Sequence, residues 1–322
     1  MRPGFLTRSP RAAGLALGVL ADALWADPRR LHPVAGFGQC AIRLESSCYR
    51  DRRSAGIGYA VVMVGGAVAL GALAARLGRR HPVLETAVIA VATWVVVGGE
   101  SLAGEASALH TALSADDLAG ARARIPSLCA RDPEALDADD MIRAGCESVA
   151  ENTSDAVVAP LFWGVVAGLP GLLGYRAVNT LDAMVGYRSP RYLNFGWASA
   201  RLDDLANVVP ARLTASLTVL LAPLVGGSPA DAVTAWSRDA GAHPSPNAGP
   251  VEASAAGALG VRLGGLTRYS YGVESRPTLG TGAPPALPDL RRAVLLSRLL
   301  TGASALVSVL TAGLVAQKRA LP

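Results

Sequence analysis

The feature that most limits what this chain can become is an uncharged run of 20 residues, Ala156–Tyr175, with dense polar signals on either side. Before it stands Glu151-Asn152-Thr153-Ser154-Asp155. After it come Arg176, Asn179, Asp182, Arg188, Arg191, Arg201, Asp203, Asp204 and Asn207. Twenty uncharged residues in a helix cross a hydrocarbon core of about 30 Å. Carboxylates, carboxamides and guanidiniums crowded against both ends are costly beside lipid unless they face a polar cavity. A passive anchor has no use for them, so the arrangement points to chemistry or substrate passage at a membrane surface.

Other uncharged runs extend the pattern: Ala55–Ala75 for 21 residues, Leu213–Ala230 for 18 and Leu299–Gln317 for 19. Thr86–Gly99 is shorter and spans only by extension or tilt. Arg2, Arg8 and Arg11 ahead of Ala12–Ala21 imitate a secretory signal, but Asp22 and Asp27 stand where cleavage would occur. We read Ala12–Ala21 as a retained first membrane-associated helix. The expected fold is therefore all-α and polytopic, a single membrane domain over residues 1–322 with four to six membrane segments. A polar helical insertion is expected at about 101–155 and an extended polar loop region at about 231–298. Pro160, Pro170 and Pro223 permit broken helices, and at least one re-entrant or interfacial segment would gather the polar clusters at one face. Gly65, Gly66, Ala67 and Gly71 suit close helix packing in lipid. Asp132-Pro133-Glu134 reads as a helix start, followed by Ile142, Cys146 and Val149 at helical spacing. Ser114-x-x-Asp117 has the form of a capping box.

Charge narrows the chemistry. Only 17% of residues are charged and the formal net charge is +5, carried by 29 arginines against one lysine, Lys318. No internal lysine exists for a P-loop or a Schiff base, so phosphates or carboxylates must be held by arginine, backbone N–H groups or a metal. No aromatic-interleaved basic tract is present, which argues against nucleic acid as a partner. Cys40, Cys48, Cys129 and Cys146 lack metal-ligand spacing and read as free structural thiols.

Four clusters can carry chemistry. The first is Asp22 with Asp27-Pro28-Arg29-Arg30-Leu31-His32, in which His32 has the bland reading of a turn residue. The second, Glu151 to Asp155, reads as a helix start suited to anions, with N-capping as its ordinary alternative. Glu151 and Asp155 are its candidate acid–base groups and Asn152 a substrate ligand. The third places Asp203, Asp204 and Asn207 within one helical turn, a spacing able to hold Mg²⁺ on phosphates with Arg201 beside it. Its alternative is a solvated helix face, and Asn179-x-x-Asp182 upstream favours function. The fourth is a proline-rich loop carrying Arg238, His243, Ser245 and Asn247, followed by Glu252. His243 is its candidate general base.

Taken together, Asp27-Pro-x-x-x-His32-Pro-Val34, Glu147-Ser-Val-Ala-Glu151-Asn-Thr-Ser-Asp155, Tyr175-Arg-x-x-Asn179-x-x-Asp182-x-Met184, Asp203-Asp204-x-x-Asn207 and Arg238-Asp239-x-x-x-His243-x-Ser-Pro-Asn247-x-Gly249 resemble the CobD/CbiB cobalamin-biosynthesis proteins. The resemblance runs from about Ala12 to Gly282. It implies a multi-pass cell-membrane ligase, adenosylcobinamide-phosphate synthase, with its active site facing the cytoplasm. Such an enzyme uses ATP as co-substrate to join aminopropanol or its O-phosphate to the f side-chain carboxyl of adenosylcobyric acid, and Mg²⁺ with arginine would neutralise the phosphates. Its partners would be those substrates, the lipid bilayer and other corrinoid-pathway proteins. A Mg-dependent membrane prenyltransferase, and a corrinoid transporter or non-catalytic membrane subunit, are the alternatives from other classes. The ligase reading expects the last three clusters to meet in one cavity, with Asp27 and His32 on its rim and Arg201 pointing inward.

Overall fold

The computed structural model describes residues 9–28, 32–269 and 272–319. Arg2 and Arg8 of the signal-like N-terminus, and Arg29, Arg30 and Leu31 of the first cluster, lie outside them. In chain order the helices are α1 (Pro10–Trp25), α2 (Pro33–Cys48), α3 (Arg53–Gly78), α4 (Pro82–Val96), α5 (Gly99–Ser114), α6 (Leu118–Arg122), α7 (Ile125–Leu128), α8 (Ala138–Thr153), α9 (Ala159–Val185), α10 (Trp197–Leu221), α11 (Pro229–Asp239), α12 (Ala248–Leu259) and α13 (Leu287–Arg319). A two-stranded antiparallel ribbon, β1 (Leu263–Tyr269) and β2 (Gly272–Leu279), separates α12 from α13. Five helical stretches are long and apolar enough to cross a membrane: Arg53–Gly78, Pro82–Ser114, Ala138–Val185, Trp197–Val225 and Leu287–Lys318. The protein is an all-α, multi-pass membrane protein. At 16 residues, α1 is shorter than these.

The chain divides into two compact units, one of Met1–Gly98, Ala159–Asn207 and Ser304–Pro322, the other of Gly99–Val158 and Val208–Ala303. In the first, small residues set the helix spacing. A side chain on Gly14 of α1 would meet Ile89 of α4 at 2.6 Å, and one on Gly71 of α3 would meet Pro170 of α9 at 2.8 Å. Helices in lipid gain little from hiding apolar surface, so such close approach supplies the packing energy. Gly65 and Gly66 face open space instead. On α3, Val61, Val62, Leu70 and Leu73 are each more than half exposed, which suits a hydrocarbon solvent. Tyr59, Leu181, Val185 and Phe195 form a separate small core.

The second unit packs Leu109, Met141, Cys146 and Leu290 into one core. Every residue of α12 is buried, because a sequence of mainly Ala and Gly lets neighbouring helices close around it. Glu252 is the one charged group on that helix.

Several local expectations are corrected. Ala138–Thr153 continues through a π-helical turn, Ser154–Val158, into α9, so Glu151 to Asp155 lie within a helix rather than at its start. The true N-cap is Asp137, whose carboxylate accepts from the Asp140 N–H at 2.8 Å. Asp132 does cap Pro133–Ala135, but that helix is a single 3-10 turn. Ser114 ends α5 and its hydroxyl donates to the His110 carbonyl, while Asp117 alone caps α6. The break in α9 falls at Gly168, which takes φ +65°, two residues before Pro170. Proline removes a helical N–H and clashes with the preceding turn, and glycine absorbs the resulting bend. Finally, much of 231–298 is ordered structure. A ribbon of two strands is marginal alone, and here Arg143 of α8 donates to the carbonyls of Gly264 and Leu266 to hold it.

Candidate functional site

In the first unit, Tyr175, Arg176, Asn179 and Asp182 fall at helical spacings on α9 and part of the group meets the start of α10. The Tyr175 hydroxyl donates to Asn207 Oδ1 at 2.9 Å, and Asn207 Nδ2 donates to Asp203 Oδ2 at 3.0 Å. Asn179 Nδ2 lies 3.5 Å from Asp203 Oδ1. Asn207 is almost fully buried. Asp204 also pairs along its own helix. Adjacent residues on a helix point about 100° apart, and Asp204 faces Arg201 one turn back at 3.6 Å. The Arg201 side chain is 66% exposed, so it does not point into an enclosed cavity as expected. Among the described residues no three His, Cys, Asp or Glu side chains gather to hold a metal ion. The donors present suit Mg²⁺ that arrives on phosphates, which needs only one or two protein carboxylates.

The second unit holds a denser group. Arg131 and Glu147, both buried, form an ion pair, and the other Glu147 oxygen accepts from the Gly264 N–H at 2.7 Å. Glu252 of α12 has a side chain only 2% exposed, and its Oε1 lies 3.6 Å from Nε2 of His243, itself 5% exposed. Neither of those two atoms has a hydrogen-bond partner. Burial pushes the Glu252 carboxyl well above the usual carboxylate range; the charges of Glu151 and Glu147 add to this, and Arg276 and Arg131 offset part of it. Burial likewise draws the His243 imidazole below its ordinary value. Three glutamates therefore act on one another beside two arginines and a neutral-leaning histidine.

His243 is anchored through one ring nitrogen. Its Nδ1 lies 3.1 Å from the Ser245 amide nitrogen and 3.2 Å from the Ser245 carbonyl, while Nε2 faces Glu252. Its place is behind Glu252, as a neighbour that fixes it. Other candidates are also committed to scaffold bonds. Asn152 Nδ2 donates to the Ser148 carbonyl at 3.0 Å and to the Ser148 hydroxyl at 2.9 Å, bracing the approach to Arg131. Arg238 forks onto Asp239 at 2.6 and 2.7 Å, and Asp239 also accepts from the Gly280 N–H at 2.8 Å, so this pair ties α11 to the end of β2. Those bonds hold Asp239 below the usual carboxylate range. Asn247 Oδ1 accepts from Arg212 at 2.9 Å.

A family model described as "CobD/Cbib protein" matches residues 15–297. The chain belongs to the CobD/Cbib family. Among CobD/Cbib relatives, it is 54% identical over 305 residues to "Cobalamin biosynthesis protein CobD" of Mycobacterium tuberculosis, covering 94% of this chain and 96% of that one. The proteins of the same description from Rhodobacter capsulatus (44% over 288 residues, 88% and 89% covered) and Chromobacterium violaceum (43% over 290 residues, 87% and 90% covered) are more distant. No solved structure matches.

This CobD/Cbib chain divides the expected site residues between its two units. Asn179, Asp203 and Asn207 come together in the first; Asp182 follows one turn on, its carboxylate lying over Gly186 so closely that a side chain there would not fit. Asp27 and His32 are 3.6 Å apart in the same unit, and His32 Nδ1 caps α2 by accepting from the Val34 N–H at 3.2 Å. Glu151 and His243 belong to the second unit's group, while Asp155 sits in the π turn. Sequence reasoning passed over Glu147, Glu252, Arg131 and Arg276 as site residues. Glu147 had a usable signal, lying four residues before Glu151 on one helix face. Glu252 had another, as the lone acid in an otherwise small and apolar helix. Nothing local marked Arg131 or Arg276.

Proposed function

We propose that the chain is a cobalamin-biosynthesis enzyme that forms an amide between adenosylcobyric acid and aminopropanol or aminopropanol phosphate, driven by ATP. The observation that carries this reading is the group of Glu147, Glu151 and Glu252 with Arg131, Arg276 and His243, in which Glu147, Glu252 and Arg131 are buried. A primary amine is an ammonium ion at neutral pH, and a carboxylate-rich, poorly solvated group attracts that cation. In the reaction the corrinoid carboxylate attacks the ATP γ-phosphorus, giving an acyl phosphate and ADP. The amine nitrogen then adds to the acyl carbon and phosphate leaves. The nitrogen sheds two protons along the way; one ends on phosphate and one passes to solvent.

Glu151, the partly exposed carboxylate of the three, is assigned the proton acceptor for the attacking amine. Glu147 is fixed in place by its ion pair with Arg131 and by the Gly264 N–H. His243 and Glu252 form the buried wall that positions it. Asp203, with the carboxamides of Asn179 and Asn207, is assigned the protein ligand set for Mg²⁺ on the ATP phosphates. That ion would neutralise charge on the transferring phosphoryl group.

Glu151→Gln separates these roles. With ATP and the corrinoid, the variant should still form an acyl phosphate that hydroxylamine traps, while amide formation falls by about 100-fold or more, the scale of a lost general base. Loss of hydroxamate and amide together would move Glu151 out of the proposed role.

A further inference from the structure

We propose that the groove between α5 and α13 in the second unit binds the headgroup of an anionic phospholipid. The groove has a volume of about 500 Å³ and is lined by Ser107, His110, Arg291, Leu295 and Arg298, among others. Its level relative to the bilayer follows from charge. The uncharged run Thr86–Gly99 stops at Glu100, and the run Leu299–Gln317 begins just after Arg298. Glu100 and Arg298 pair at 2.7 Å, so both stretches meet the hydrocarbon boundary at that ion pair.

From there, Ser107 lies seven residues along α5 and Arg291 seven residues back along α13. At 1.5 Å per residue each is about 10 Å beyond the boundary. The polar headgroup layer occupies the first several Å on each side of the core. The groove runs from the boundary at Arg298 to about 10 Å beyond it, so it crosses the layer in which lipid phosphates lie.

Chemistry agrees with position. Arg291, Leu295 and Arg298 share one stripe of α13 at spacings of four and three. Arg291 is exposed and has no acidic partner among the described residues. Arg298 is balanced by Glu100 and Arg292 by Asp289. That leaves Arg291, with the His110 ring opposite, as the uncompensated cation. Leu295, 45% exposed, offers an apolar step between the two arginines for the glycerol end of a lipid. One anionic headgroup, lying along Arg291 and Arg298, satisfies all of these groups.

The full-length protein in detergent would be mixed with equal amounts of phosphatidylglycerol and phosphatidylcholine and the retained lipid counted by native mass spectrometry. We expect preferential retention of phosphatidylglycerol. Arg291→Ala should lower it about fivefold, the worth of one surface arginine to an anionic lipid, whereas Arg291→Lys should keep most of it. Because Arg291 is exposed, neither change should affect folding, and unchanged thermal unfolding would confirm that. Equal retention of the two lipids, or retention unaffected by Arg291→Ala, would overturn the proposal. So would displacement of the lipid by millimolar inorganic phosphate, which would make the groove a site for a free anion.

Discussion

At the scale of single residues, the geometry ranks neighbours that the sequence left equal. Asp203 and Asp204 are adjacent acids in one motif, yet Asp203 is braced by Asn207 and Asn179 while Asp204 pairs with a mostly exposed arginine. Asp203→Asn should lower turnover by about 100-fold, on the scale of a lost electrostatic ligand, in protein that remains folded. Asp204→Asn should cost much less. Equal, near-normal activity of both would return the pair to a solvated helix face. Glu252 gives a second residue-level prediction, this one in pH. Its carboxyl titrates above the ordinary range when folded, so between the unfolded and folded values the native state holds a proton that the unfolded chain has released. Stability then falls as pH rises through that window. Glu252→Gln should flatten this slope by up to about 1.4 kcal/mol per pH unit, one proton's worth, in thermal unfolding across pH 5 to 8. An unchanged slope would mean the carboxyl is ionised in the fold. His243, drawn the other way, costs stability only on the acid side, where the unfolded chain takes a proton that the buried ring refuses.

At the scale of elements, the long uncharged runs were legible because lipid leaves a helix little choice: every backbone polar group must be satisfied within the segment. Ala55–Ala75 and Leu299–Gln317 both lie inside single long helices. Helix punctuation was less legible. Asp132-Pro133 looks like a start and caps only one turn, because Asp137 five residues later captures the longer helix. The Glu151 to Asp155 string misled for a related reason: cap-forming side chains inside a helix bond back to their own turn, as Thr153 does to the Val149 carbonyl at 2.6 Å. The candidate site was half legible. Glu151 and His243 stood out as polar groups in motifs, whereas Arg131 and Arg276 reach the same group from a loop and a ribbon that no periodicity announces. Close packing at glycine offers a test at this scale. Gly71→Val on α3 would press into the α9 backbone at Pro170, and should destabilise the protein by about 1–3 kcal/mol. Gly66→Val, facing open space, should be nearly neutral in the same denaturation series.

At the scale of the whole molecule, composition, five membrane-length helices and family membership describe a multi-pass CobD/Cbib protein of cobalamin biosynthesis. The most direct measurement is product formation by the purified full-length protein supplied with ATP, Mg²⁺, adenosylcobyric acid and aminopropanol phosphate, followed by mass spectrometry. The account predicts a corrinoid amide, one ADP per amide, no ADP without the corrinoid, and no more than one ADP per enzyme molecule when the amine is left out. Folded, membrane-extracted protein that makes no amide with either aminopropanol or its phosphate, or that hydrolyses ATP at the same rate without both substrates, would contradict it.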